Sequence, residues 1–149
     1  MKKFKFSLDT VLDYKNRVLD ELKREHGIII AKIMAKEAEI AALEAEYNRV
    51  KEDFNRGKRD GMSVSEALSF EEHIHVLQYN IKEEYKKLRA LQREEEKKRA
   101  EVVAAKTEAS SIDKLKEKRL EEYDTMVRKA EELFIEEFVM NQKATAVSG

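Results

Sequence analysis

Cysteine, proline and tryptophan are missing from this chain, and glycine occurs only four times in 149 residues. Without cysteine there is no disulfide framework and no thiol chemistry, which fits a reducing compartment. Without proline nothing interrupts a long helix from within. Aromatic residues are only 7% of the chain against 41% charged, too polar a balance for a layered globular core and one that suits long, solvated helices. No excess of one charge exists either: 30 Lys and Arg face 31 Asp and Glu. That removes the basic field expected of a nucleic-acid or anionic-membrane binder. Long apolar runs are also lacking. The opening MKKFKFSLDTVLDYKNR is basic at its start but has no uninterrupted apolar segment and no small-residue cleavage site. It reads as neither export signal nor membrane span.

What is present is periodicity. Alternate steps of four and three from Leu8 reach Leu12, Lys15, Leu19, Leu22, His26, Ile29, Ile33, Lys36, Ile40, Leu43, Tyr47, Val50 and Phe54, and eleven of these fourteen positions are apolar. Seven heptads in phase predict one stripe of a coiled coil. A second seam starts at Phe70 and continues through Ile74, Leu77, Ile81, Leu88 and Leu91 to Leu133. It carries charge in its middle, where REEEKKR at 93–99 predicts loose, mobile pairing.

Between the seams stands RDGMSVSEA. Gly57, three residues past Phe54, occupies the place of a helix C-cap, and Ser63 with Glu66 forms a capping box at the next helix start. The expectation is an all-α fold, a long antiparallel two-helix coiled-coil hairpin in one unit over 1–149. Helix 1 covers about 7–57, the turn 58–63 and helix 2 about 64–140. Pairing within one chain acts at an effective concentration of order mM, so the hairpin is expected to be monomeric at low concentration. A turn centred near residue 60 puts Leu8 opposite about Asp113. The chain from Leu120 onward then has no partner, although Tyr123, Met126, Val127, Ala130, Leu133, Phe134 and Phe138 form a wide apolar stripe there. Leaving such side chains in water costs roughly 1.5–3 kcal/mol each, so a partner, a second copy or a folded-back end is expected to cover them.

Residues that could carry chemistry are dispersed. The glycines at 27, 57, 61 and 149 build no phosphate loop, so the chain is not expected to hydrolyse ATP. His73 and His75 are two apart and point about 200° from each other on a helix, so they cannot share a metal. His26 lies in the seam, where a polar residue that fixes register is the expected role. Carboxylates fall on solvent faces with no apolar pocket to shift one for acid–base work. No enzymatic activity, cofactor or metal is expected.

Three segments resemble one family: FKFSLDTVLDYK at 4–15, GMSVSEALSFEEHIHVLQYNI at 61–81 and IDKLKEKRLEEYDTMVRKAEE at 112–132 are similar, in order and spacing, to the flagellar export protein FliJ. The resemblance implies a soluble coiled-coil component of the flagellar type III export apparatus, similar in shape to the γ shaft of rotary ATPases. Its implied partners are the hexameric export ATPase FliI, the export-gate protein FlhA and export chaperones. Its implied location is the cytoplasm, peripheral to the inner face of the membrane at the flagellar base. On that pattern the ATPase contact uses Phe4, Phe6, Tyr123, Met126, Leu133, Phe134 and Phe138. The gate contact uses Leu43, Tyr47, Val50, His73 and Leu77, of which all but His73 also fit simple seam packing. A generic coiled-coil scaffold, or a stalk subunit of another ATPase or an injectisome, is the alternative reading.

Overall fold

A computed structural model describes residues 2–148. It is all-α: two long helices packed against each other as a helical hairpin, α1 over Asp9–Asp60 and α2 over Val64–Ser148. Both helices are longer than the periodicity suggests. The first runs through Gly57 to Asp60, and the second continues past residue 140 to Ser148. The chain divides into two compact units, Asp20–Val103 on one hand and Met1–Leu19 with Ala104–Gly149 on the other.

The turn belongs to the first of these units, and it corrects the assignment of the cap. Gly57 is helical, whereas Gly61, just past the last helical residue, has φ of 96°. An L side chain there meets the steric penalty of the left-handed region, so glycine ends the helix without strain. Gly57 is bare for another reason: a Cβ on it would lie 2.0 Å from Met62 Cε, which folds back over it. Ser63 caps α2 as expected, its Oγ accepting from the Glu66 amide at 3.1 Å while its carbonyl accepts from the Ala67 amide at 3.0 Å. Gly61→Ala should therefore lower unfolding free energy by about 1–2 kcal/mol. Gly57→Ala should change it by less, because the gain in helix propensity of about 1 kcal/mol offsets displacement of a flexible methionine tip. Urea unfolding of both variants checks the order.

Within Asp20–Val103 the arms close on Ile40, Val50, Phe54, Leu77 and Leu88, all buried. Next to the turn Phe54 meets Phe70 edge to face, with ring centroids 5.3 Å apart. Every one of the fourteen heptad positions from Leu8 to Phe54 is buried or half-buried, so the four–three reading located the inward stripe correctly. The polar members of the seam are paired across the helices. His26 Nε2 lies 3.0 Å from Glu95 Oε1, Lys36 Nζ donates to Glu84 Oε2 at 2.6 Å, and Lys98 Nζ donates to Glu25 Oε2 at 2.9 Å. Loose pairing over 93–99 is thus corrected, since Glu95 and Lys98 each have a defined partner. A long cationic stem can lie along the apolar seam while its head reaches a carboxylate at the edge.

In the other unit Lys15 Nζ donates to Glu108 Oε2 at 2.8 Å and Lys116 Nζ to Asp9 Oδ1 at 2.7 Å. The second contact puts Leu8 about one helical turn farther along α2 than Asp113, because the link lies at 61–63 rather than being centred on residue 60. Phe6, Leu12, Leu19 and Ala109 are buried here.

These pairs set the pH response. Hydrogen bonding to Lys36 holds the Glu84 carboxyl below its usual range, and hydrogen bonding to His26 does the same for Glu95. Lys36 is raised by its bonds to Glu39 and Glu84, and Lys98 by its bonds to Glu25 and Glu101. A lowered carboxylate contributes stability above its unfolded pKa of about 4.3 and loses it as pH falls through the folded value. A raised lysine contributes below about 10.4 and loses it as pH rises through its folded value. The melting temperature should be flat between these limbs and fall below about pH 4. Glu84→Gln with Glu95→Gln should flatten the acid limb in a circular-dichroism melt series.

Candidate docking surfaces

The residues expected to meet partners fall on two surfaces, one in each unit. In Asp20–Val103, Val50 and Leu77 are 5% and 4% exposed, which makes them core. Leu43 and Tyr47 are half-buried at the edge of the same seam, and the Tyr47 hydroxyl accepts from Gln78 Nε2 at 3.2 Å. His73 is exposed, with Nε2 3.7 Å from Glu46 Oε1. Only His73 and the edges of Leu43 and Tyr47 are therefore open to a partner.

Beside them lies a groove of about 690 Å³ lined by Glu44, Tyr47, Asn48, Gln78, Ile81, Lys82, Tyr85 and Arg89. Tyr85 bridges it by donating to Glu44, and that bond raises the phenol above its ordinary pKa. The outward side of α2 carries a stripe that the sequence reading missed: Val64, Leu68, Val76 and Tyr79 are exposed. Leu68, His75, Val76 and Tyr79 line a second groove of similar volume with Glu71 and Glu72. The signal was there, since steps of four from Val64 through Leu68 and Glu72 to Val76, then three to Tyr79, keep to one side of a helix. It lies off the inward seam, and only the inward phase was followed.

The second surface begins where the amino-terminal segment ends. Residues 2–6 are neither helix nor strand, and Ser7–Leu8 turn into α1. The Asp9 amide donates to the Phe6 carbonyl at 3.2 Å as this turn closes. The segment lies along α2: the Phe4 and Tyr123 rings are 5.6 Å apart, and the Tyr123 hydroxyl donates to the Lys2 carbonyl. Phe4, Phe6, Arg119, Glu122, Tyr123 and Met126 line one pocket there. Pairing thus extends beyond Leu120, and Tyr123 and Val127 are both half-buried. This corrects the expectation that α2 is unpartnered from Leu120.

Beyond Val127 every residue through 147 is exposed. Of the seven residues expected at the ATPase, Phe6 is buried, Phe4 and Tyr123 hold the amino-terminal segment, and four stand open: Met126 at 61%, Leu133 at 59%, Phe134 at 70% and Phe138 at 55% exposed. Ile135, Val139 and Met140 are also exposed, Val139 the least of them, and extend the surface beyond the stripe read from the sequence. Among the described residues no group of three or more His, Asp or Glu is placed to hold a metal ion, and no helix is long and apolar enough to cross a membrane.

A paired helical seam with large apolar side chains left open outside it defines a coiled-coil assembly protein. The chain belongs to the flagellar FliJ family: the family model for the flagellar FliJ protein matches residues 4–147. Membership makes it a component of the flagellar type III export apparatus. No curated protein and no solved structure matches the chain.

Proposed function

We propose that this protein is a non-enzymatic, stalk-like partner of the export ATPase, with the carboxy-terminal part of α2 entering the ATPase ring. The observation that supports this reading is the open apolar helix after Val127. Leu133, Phe134 and Phe138 are left open by the described residues, and burying them in a partner gains roughly 1.5–3 kcal/mol each. The surface near the turn, with His73, the edge of Tyr47 and the outward Leu68, Val76 and Tyr79, docks on the export gate. Holding both partners, the protein assists delivery of chaperone-bound substrates. It works in the cytoplasm, peripheral to the membrane at the flagellar base.

Truncation after Arg128 tests the first contact, because it keeps Tyr123 and the whole paired seam. The full-length chain should promote hexamer formation and nucleotide hydrolysis by the purified ATPase. The truncated chain should melt at the same temperature and stimulate at least tenfold less, given several lost anchors. Equal stimulation by both would move the ATPase contact elsewhere. For the gate, His73→Ala should weaken binding while leaving the melting temperature unchanged, and the reverse pattern would mark His73 as structural.

A further inference from the structure

The side of α1 turned away from the seam carries no charge over residues 27–45, in a chain that is 41% charged. Taking Gly27 as zero at about 100° per residue, the seam residues Ile29, Ile33, Lys36 and Ile40 point between about 180° and 240°. Opposite them an uncharged arc runs from Ile30 near about 300°, through zero, to Ile28 near about 100°. Every residue in that arc is exposed, with Ile28 at 51%, Ile30 at 39% and Met34 at 65%. The arc is graded along its length. Its large side chains, Ile28, Ile30 and Met34, stand in the amino half, whereas the carboxy half is Ala38, Ala41, Ala42 and Ala45. Its borders are graded too: Arg24 and Lys32 flank the amino half, and Glu37, Glu39, Glu44 and Glu46 flank the carboxy half.

We propose that this face pairs with the same face of a second copy, the two α1 helices running antiparallel about a two-fold axis near Lys36. The axis sets Met34 against Ala38 of the second copy, Ile30 against Ala41 and Ile28 against Ala42, and each contact occurs twice. Large side chains meet small ones, so the helix axes can approach to about 8 Å. At one edge Lys32 meets Glu39, and Arg24 reaches toward Glu46. A parallel pair would set large against large and like charge against like. Size and charge therefore both select the antiparallel second copy. Glu37, near the two-fold axis, meets its own copy and opposes the pairing. The contact is also small, since residues 27–45 span about 27 Å of helix, and one helix pair of that length falls below the usual area of a stable interface. The association is weak, in keeping with a hairpin that is monomeric at low concentration. It leaves open the outward side of α2 with Leu68, Val76 and Tyr79.

Sedimentation of the full chain over a concentration series tests this, beside a circular-dichroism melt. The parent should form a reversible dimer at high concentration. M34E/A38E should weaken it by about tenfold or more, and Glu37→Gln should strengthen it by up to about fivefold, as relief of one exposed like-charge pair allows. Both variants should keep the melting temperature of the parent. K32E should weaken the dimer, and K32E/E39K should restore it, because the exchanged charges meet again only in the antiparallel pairing. The chain has no cysteine, so introduced thiols report which residues meet. On oxidation, an equimolar mixture of Met34→Cys and Ala38→Cys chains should give mixed disulfide dimers, and either chain alone should give few. Efficient linking of Met34→Cys to itself would mark a parallel pairing and overturn the proposal. A dimer that survives M34E/A38E but is lost in L133A/F138A would place self-association on the carboxy-terminal helix instead. A parent that stays monomeric at its highest soluble concentration would also overturn the proposal, and loss of gate or ATPase binding in M34E/A38E would then assign the face to a different protein.

Discussion

Leu77→Ala should lower the free energy of unfolding by about 2–5 kcal/mol, whereas Leu133→Ala on the same helix should change it by less than about 0.5 kcal/mol. The two leucines sit in one continuous helix and differ only in what faces them. Leu77 is 4% exposed within the buried seam, and Leu133 is 59% exposed. Truncating the first leaves a cavity and forfeits burial, while truncating the second removes surface already in water. On the proposed function, partner binding should show the opposite order, with Leu133→Ala weakening attachment to the ATPase and Leu77→Ala acting only through stability. Denaturant unfolding beside a binding titration separates them. A large loss of stability at Leu133 would mean that this helix is covered within the chain itself.

Lys36→Glu should be the most damaging single charge change in the seam. Lys36 bonds half-buried Glu84 as well as exposed Glu39, so reversal sets three carboxylates together at a less solvated place than Lys98, whose two glutamate partners are both more open than Glu84. The melting temperature should fall steeply, and adding Glu84→Lys should restore most of it by rebuilding the pair in opposite orientation. That rescue is specific to the register in which these two residues meet. Replacing both by leucine should raise the melting temperature, because a well-packed apolar pair commonly matches or exceeds an ion pair removed from water. It should also give concentration-dependent dimers. In a parallel pairing of two α1 helices, Lys15, His26 and Lys36 would each face their own copy, and like charge opposes that association. Sedimentation of the leucine variant across a concentration series checks this. A strictly monomeric leucine variant would show that the seam charges do not select the intrachain hairpin.

Much of the molecule is legible in one dimension because a heptad is an angular property of a single helix. The phase set by Leu8 and Leu12 predicts the inward side of each later turn through Phe54, and the separate phase set by Phe70 and Ile74 does so in α2 through Lys116. After that, Arg119, Met126, Ala130 and Leu133 of the expected seam are exposed. The family resemblance was equally legible, carried by short segments at 4–15, 61–81 and 112–132. Capping chemistry was legible at Ser63, where a hydroxyl three residues before Glu66 meets a free amide.

What a helix's own angle cannot supply is its alignment along a neighbour, and there the tertiary structure decided. Two glycines stood four residues apart, and only the backbone reveals that Gly61 takes the positive φ while Gly57 makes room for Met62. Placing the link at 61–63 moves Leu8 about one turn along α2. Residues 2–6 then lie against α2 at Tyr123. The candidate surfaces depended on the same alignment. Val50 and Leu77 proved to be core, Phe6 was enclosed, and the open positions became His73, Leu68, Val76 and Tyr79 in one unit and Leu133 through Met140 in the other. The sequence alone determined the helices, their inward stripes and the family. Tertiary structure decided which apolar side chains remain uncovered, because exposure depends on where the opposing chain begins, turns and ends.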